Sequence, residues 1–298
     1  MDSNMQDGKI MGRGRDVTVA AVSAALRRRL APVYGEGEAR AMTNLIFHHL
    51  KGWNVTDMVI NADQPLSPYI LEKIAEIEHR LSLHEPLQYI LGEARFYGMD
   101  MHVTPDTLIP RPETEELVDL IVEQNGKRVD LSVLDIGTGS GAIAIALSRN
   151  LPFSRVSALD ISEAALKVAQ ENAKNLHARI DFIHADIFRY EPAPESLDII
   201  VSNPPYIAEE ERCAMERNVL DYEPAGALFV PDAQPLIFYS RIAETARTGL
   251  KQGGLLYFEI NPRFADSLEA LLDKEGFRDI ERFQDISHRI RFMACKKL

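Results

Sequence analysis

The chain reads as an α/β protein: a mostly parallel sheet with helices on both faces, preceded by a small all-helical domain. Three observations predict this. From Glu113 onward, short apolar runs alternate with helical stretches. Before about residue 85, apolar residues recur only at helix-like spacing, and no alternating strand pattern interrupts them. Between these regions lies Leu108-Ile109-Pro110-Arg111-Pro112, whose two close prolines disfavour helix and fix an extended segment. A length of 298 residues is comfortable for two domains.

The elements follow in order. Met1 to Arg15 is polar, carries Gly8, Gly12 and Gly14, and reads as a frayed tail with no secretory signal. The helical domain is expected over 16–92. Val17 to Leu30 is its first helix, with Asp16 as candidate N-cap, and Glu36 to Leu50 is its second. Leu66 to Leu83 is the third, with Ile70, Leu71, Ile74, Ile77 and Leu81 at helical spacing after Ser67-Pro68. Residues 93–111 are expected to form a linker, with a short hairpin where aromatic and β-branched residues surround Gly98.

The α/β domain is expected over 112–298. Strands are predicted at Ser132–Ile136, Arg155–Leu159, Arg179–His184, Leu197–Ser202 and Leu255–Ile260, with two closing strands at Phe277–Phe283 and Ile290–Cys295. Helices are predicted at Glu113–Glu123, Ala142–Arg149, Ser162–Asn175 and Pro235–Leu250.

Asp135-Ile136-Gly137-Thr138-Gly139-Ser140-Gly141 runs from a strand through a glycine turn into a helix. Glycines let the backbone approach a ligand closely, and the helix start offers N–H donors. Asp160 ends the next strand, 21 residues after Gly139, where a carboxylate can accept both hydroxyls of a ribose. The pair fits the adenosine of either NAD or S-adenosylmethionine. The spacing Gly-x-Gly-x-Gly is not the dinucleotide spacing, which favours the methyl donor. Asp135 is then placed to attract the donor's ammonium. Asp186, at the end of the third strand, suits the adenine amino group, though an aspartate there also suits a helix cap.

Asn203-Pro204-Pro205-Tyr206 follows the buried strand Ile199–Ser202. A conjugated NH₂ nitrogen is a poor nucleophile, because its lone pair is delocalised. The Asn203 side-chain oxygen and the Pro204 carbonyl can each accept one hydrogen bond from such a group and hold its lone pair toward a donor. The prolines lock φ and lack N–H groups, so these acceptors are aimed in advance. Tyr206 offers a flat stacking surface. No strong base is needed, since an alkylated nitrogen can lose its proton to water.

The remaining composition excludes other chemistry. Cys213 and Cys295 are too few and too far apart for a disulfide framework, and a reduced cytoplasmic setting is the simpler reading. The eight histidines show no zinc spacing, so no metal is expected. No apolar run is long enough for a membrane span. A net charge of -12 opposes binding to a phosphate backbone, and Arg27-Arg28-Arg29 reads as a solvated helix face.

Together these segments resemble the peptide chain release factor glutamine methyltransferases, the PrmC/HemK family. The resemblance is carried by Glu85 to Ile90 with Gly92, Phe96 and Gly98, and by Leu108 to Glu115. It continues through Asp135 to Gly141, Asp160, Asn203 to Tyr206, and Tyr222-Glu223-Pro224 before Ala227-Leu228. It implies a class I methyltransferase fold, Rossmann-like with a seven-stranded sheet, behind a helical substrate-recognition domain. It implies that Gly137, Thr138, Gly139, Ser140, Gly141, Asp160, Asp186, Ile187 and Asn203 contact S-adenosylmethionine. Asn203, Pro204, Pro205 and Tyr206 would hold the acceptor, the glutamine of the Gly-Gly-Gln loop of class I release factors, with Asn203, Pro204 and Tyr206 catalytic. Ile187 stands where such families often carry an aromatic residue, so apolar contact replaces stacking on adenine. Arg111 and Glu113 are expected to shape the site between the domains. The rival is a DNA amino-methyltransferase, whose acceptor is also a conjugated amine but which needs a basic DNA face. A non-catalytic cofactor-binding regulator would have no use for two pre-aimed acceptors.

Overall fold

The computed structural model describes residues 17–298, so the tail expected over 1–15 and the Asp16 cap lie outside the described residues. The chain divides after Leu91 into two compact units.

The first unit is helical: α1 (Val19–Tyr34), α2 (Glu36–Lys51), α3 (Val55–Ile60), α4 (Pro68–Ser82) and α5 (Leu87–Leu91). Thr18 caps α1, its hydroxyl accepting from Ala21 N at 3.3 Å. Gly52, with φ of 67°, closes α2 in the left-handed conformation that a β-carbon disfavours. The short α3 escapes the periodicity argument at six residues, yet Asn54 and Asp57 begin it with a reciprocal capping box. Leu26, Ile46, Phe47, Ile74 and Leu81 form the centre of its core. Each such side chain contributes roughly 1.5–3 kcal/mol through burial. Two of the three consecutive arginines are engaged within the unit: Arg27 donates to Asn44 at 3.2 Å, and Arg29 pairs with Glu78.

The second unit begins with an antiparallel hairpin, β1 (Glu93–Phe96) and β2 (Met99–His102). Tyr97 and Gly98 between them both have positive φ, as a two-residue type I′ turn requires. Then come α6 (Pro112–Asn125), β3 (Ser132–Ile136), α7 (Ala142–Asn150), β4 (Arg155–Asp160), α8 (Glu163–Asn175), β5 (Ile180–His184) and β6 (Leu197–Ser202). The short strands β7 (Ile207–Ala208) and β8 (Phe229–Val230) pair beside α9 (Arg217–Tyr222). The unit ends with α10 (Ile237–Gly249), β9 (Leu250–Glu259), α11 (Ala265–Lys274), β10 (Phe277–Gln284) and β11 (Ile290–Lys297).

Seven strands form one sheet in the order β10-β11-β9-β6-β3-β4-β5. Only β11 runs against the others. Alternate residues feed two cores. Val133, Ile199, Val201 and Tyr257 face α6, α7 and the hairpin, while Leu134, Ile200, Leu256 and Phe258 face α10 and α11. Asn172 of α8 ties the hairpin to the glycine turn, accepting from His102 N at 2.7 Å and donating to the carbonyls of His102 (2.9 Å) and Ser140 (3.0 Å).

The chain leaves β3 toward β4 on one side, whereas β6 and β9 lie on the other. This is a topological switch point, where open α/β sheets bind ligands beyond the strand carboxyl ends. Register brings those ends level: Ile136 lies beside Leu159 and Ser202, and Ser202 beside Phe258. Gly137, Asp160, Asn203 and Glu259 therefore emerge together.

Candidate active site

The glycine turn is more internally bonded than its sequence suggests. Gly137 N and Thr138 N donate to Leu159 O, Gly141 N to Thr138 O, and Gly139 N to Asp160 Oδ2 at 2.8 Å. The expected set of open N–H donors is thus largely used in fixing the loop, since buried main-chain donors demand partners. Gly137 and Gly139 have positive φ, and a β-carbon on either would meet nothing within 4 Å. Gly141 differs: its β-carbon would lie 3.1 Å from Ala169 Cβ, so this glycine permits α7 to pack closely on α8.

Asp160 also accepts from Ser162 N at 2.9 Å, so each of its oxygens holds one main-chain donor. Asp135 is fully buried. Its Oδ2 accepts from Thr138 Oγ1 at 2.6 Å and from Ala144 N at 3.2 Å, while Oδ1 has no partner. Burial pushes its carboxyl up to about 7, against the pull of those two donors and with a smaller push from the charge of Asp160. A buried, unpartnered acceptor beside two open glycines fits a ligand that brings a cationic donor. No helix follows Asp186, so it is not a helix cap; its carboxylate closes a turn, accepting from Phe188 N at 2.9 Å. Ile187 is buried in the core against α10, and its carbonyl accepts from Arg241 at 2.8 Å.

The second cluster is built on Glu259, which closes the apolar run Leu255 to Phe258 at the end of β9. It is buried, and its carboxylate receives three donors: Thr114 Oγ1 at 2.7 Å, Asn203 Nδ2 at 3.0 Å and the Tyr206 hydroxyl at 3.1 Å. Asn203 Nδ2 also reaches Thr114 Oγ1 at 3.3 Å. Burial raises the Glu259 carboxyl above its ordinary range, opposed by the Thr114 and Tyr206 hydrogen bonds. Burial likewise raises the Tyr206 phenol, reinforced by the charge of Glu259. Among the described residues, no group donates to Asn203 Oδ1 or to the Pro204 carbonyl.

The proline segment delivers Thr114 to this cluster. Ile109 N donates to Glu223 Oε2 at 3.2 Å, and Arg111 pairs with the other oxygen of the same buried carboxylate. Pro112 then starts α6 with the φ a first turn needs, and Thr114 follows two residues later. Asn261 holds the far end of the Asn203 to Tyr206 segment, donating to Tyr206 O at 3.2 Å. An open pocket of about 130 Å³ lies against Asn203, Pro204, Tyr206 and Glu259, with Leu108, Arg111, Met215 and Leu228 also lining it.

The structure therefore gathers Asn203, Pro204 and Tyr206 at one cavity and brings Gly137 to Gly141 beside Asp135 and Asp160. Sequence reasoning missed Glu259 and did not see what Thr114 does. The available signal was an acid closing the run Leu255 to Phe258. Cys295 is buried as a small hydrophobe, whereas Cys213 is exposed.

Comparison with known proteins bears on this geometry. Residues 114–221 match the family model of the Methyltransferase small domain, and residues 21–92 match that of the PrmC N-terminal domain. A release factor glutamine methyltransferase of Bacteroides thetaiotaomicron is 44% identical over 277 residues, covering 93% of this chain and 99% of that protein. This chain belongs to the release factor glutamine methyltransferase family. A release factor glutamine methyltransferase of Streptococcus pneumoniae is 44% identical over 240 residues, covering 80% of this chain and 85% of that one. Among solved structures, a 16S rRNA methyltransferase of Thermus thermophilus aligns with a TM-score of 0.51 at 21% identity, over 69% of this chain and 50% of that one. A methyltransferase of Pyrococcus furiosus aligns with a TM-score of 0.50 at 16% identity, over 75% of this chain and 98% of that one. These likenesses establish the class I methyltransferase fold. The chain is thus a methyltransferase, and Asn203 to Tyr206 lie at the carboxyl end of β6. Among the described residues, no helix is long and apolar enough to cross a membrane, and no acidic, histidine or cysteine group is arranged to hold a metal.

Proposed function

We propose that this enzyme methylates the side-chain amide nitrogen of the glutamine in the Gly-Gly-Gln motif of class I peptide chain release factors, in the cytoplasm, using S-adenosylmethionine. The observation that carries the reading is the state of the Asn203 amide. Its NH₂ end is anchored to Glu259 and Thr114, so Oδ1 and the neighbouring Pro204 carbonyl are left as two open acceptors at the cavity. Two adjacent acceptors match an NH₂ group; Arg111, which also lines the cavity, is paired with Glu223. The names of the relatives support a release factor as the protein bearing that group.

When bound, S-adenosylmethionine supplies a methyl group on a sulfonium, and S-adenosylhomocysteine is the product. Gly137, Thr138, Gly139, Ser140 and Gly141 would form the floor of its site. Asp135 Oδ1 would take its ammonium, Asp160 its ribose, and Asp186 and Ile187 its adenine; Asn203 would border both sites. Asn203 Oδ1 and Pro204 O hold the two amide hydrogens of the glutamine and turn its lone pair outward. Pro205 keeps that loop extended, and Tyr206 backs the planar amide. The alkylated nitrogen is acidic enough to give its proton to water. The helical unit would recognise the body of the release factor.

The test is transfer of label from S-adenosylmethionine to a purified release factor, with loss of transfer when the motif glutamine is changed to alanine. Label appearing on duplex DNA and not on the release factor would replace this reading with that of a DNA amino-methyltransferase.

A further inference from the structure

Asn203 presents an acceptor to the cavity only if its amide is held in one of two orientations, related by a flip of the terminal group. Sterically these orientations are almost equivalent, because the amide oxygen and nitrogen are similar in size. The choice is made by what lies behind the side chain. There stands Glu259, a buried carboxylate with no proton to offer when ionised, together with the Thr114 hydroxyl, whose own proton is committed to Glu259 at 2.7 Å. Both therefore accept from Asn203 Nδ2, at 3.0 and 3.3 Å. The other Glu259 oxygen takes the Tyr206 hydroxyl at 3.1 Å, and Tyr206 also lines the cavity. The cluster is a chain of one-way hydrogen bonds that terminates on a single acceptor.

We infer that Glu259 is a positioning residue that fixes the polarity of the acceptor site, forcing Asn203 to face the substrate with oxygen and not with its NH₂ group. The inference rests on the reading of Asn203 as the residue that holds the substrate amide. It adds the residue that makes that side chain an acceptor. The groups facing Glu259 are Thr114 at the start of α6, Asn203 and Tyr206 after β6, Tyr239 of α10, whose hydroxyl donates to the Glu259 main-chain oxygen at 3.0 Å, and the more distant charges of Arg291 and Glu113. Glu259 does not line up as a base, since every proton that reaches it belongs to the protein.

Two measurements decide the matter. The first uses the full chain alone and needs no substrate. The side-chain amide of Asn203 is assigned by ¹⁵N NMR from the signal lost in Asn203→Asp. The expected result is slow exchange with water in the wild type and fast exchange in Glu259→Ala. Wild-type exchange as fast as that of an exposed asparagine overturns the inference, and this result stands even if a Glu259 variant fails to fold.

The second is a double-variant cycle on label transfer to a release factor. Glu259→Ala lowers kcat by about a hundredfold, the scale for losing one pre-aimed polar contact, with little change in cofactor affinity. Asn203→Asp sets two carboxylates against each other and loses at least as much at neutral pH, with partial recovery on acidification as the pair takes up one proton. Glu259→Gln costs less than either, because its amide oxygen still accepts from Asn203 while its nitrogen turns to the Tyr206 oxygen. Asn203→Asp combined with Glu259→Gln reverses donor and acceptor behind the same outward-facing oxygen, regaining at least about tenfold over Asn203→Asp and losing its pH dependence. Losses that simply add, as from independent structural defects, overturn the inference. If the wild type transfers no label to a release factor, the substrate reading fails, while the exchange experiment still tests Glu259.

Discussion

Asp135 and Glu259 are both buried carboxylates near the carboxyl ends of β3 and β9, yet they are differently completed. Glu259 receives three side-chain donors, at least one on each oxygen. Asp135 receives two, both on Oδ2, and its Oδ1 has none. Burying an ionised group costs several kcal/mol unless polar partners replace water. A saturated carboxylate therefore acts on its neighbours, fixing which way they point. An unsaturated one acts on what arrives. The difference separates two halves of the proposed site: on the β9 side a carboxylate with donors on both oxygens, and on the β3 side one with an oxygen left open.

The largest test of this contrast is Asn203→Ala, which removes the acceptor and leaves a Glu259 oxygen short of a donor. Turnover falls by at least about 10³-fold, the upper end for loss of a pre-aimed polar contact, while cofactor affinity measured by calorimetry changes far less. A near-normal rate would show that the amide of Asn203 does not hold the substrate.

The next effect is on Asp135. Its carboxyl is raised from 3.8 to about 7, chiefly by burial. The folded state thus binds a proton more tightly than the unfolded chain. Stability from this group is fully present below about 3.8 and is lost as pH rises through about 7. Asp135→Asn removes that slope, worth roughly 4 kcal/mol across the window. A cationic ammonium at Oδ1 acts in the opposite sense, so S-adenosylmethionine binds more tightly as pH rises through about 7, and Asp135→Asn abolishes the trend. Thermal melts from about pH 3.5 to 8, and cofactor titrations from about pH 5 to 7.5 where the ammonium stays charged, measure the two trends. Identical pH profiles for wild type and variant would place the ammonium elsewhere.

The contrast also shows what a sequence discloses. The strand runs, the glycine turn and the proline segment are local patterns, and they place β3 to β6, the first turn of α6 and the acceptor loop within a residue or two. Partnerships set by sheet register are not local. Glu259 lies 56 residues from Asn203, and Thr114 lies 89 away from it. The pairing of Ser202 with Phe258 brings Glu259 beside Asn203, and the segment held on Glu223 brings Thr114. Likewise, a glycine turn announces donors but not their use; four of its N–H groups are spent on Leu159, Thr138 and Asp160. At α1 the described cap is Thr18, one residue before Val19, whose hydroxyl accepts from Ala21 N in the first turn.

A smaller effect is expected at Asp160, which holds Gly139 N and Ser162 N besides any ribose. Asp160→Ala removes two charge-assisted hydrogen bonds and loosens the turn, raising the cofactor Kd by about tenfold or more, on the scale of one such bond. Saturating cofactor restores kcat, because the acceptor pocket is built from other strands. Failure to restore it would mean that the two halves of the site are mechanically coupled.

The mildest change in rate sharpens the comparison most. Tyr206→Phe keeps the flat ring but takes one donor from Glu259, making that carboxylate as incomplete as Asp135 is. The phenol is buried at its hydroxyl end and raised above its ordinary range, so it donates as a neutral group throughout the physiological range. Its loss leaves one Glu259 oxygen unsatisfied, which costs about 1–3 kcal/mol in stability. Asn203 and Thr114 still donate to the other oxygen, so the acceptor orientation survives and kcat falls by less than about tenfold. The expected signature is a lowered melting temperature with a largely retained rate, the reverse of Asn203→Ala. A Tyr206→Phe protein that is stable but inactive would mean that the hydroxyl itself touches the reacting amide, and the division between saturated and unsaturated carboxylates would then have to be drawn at Tyr206.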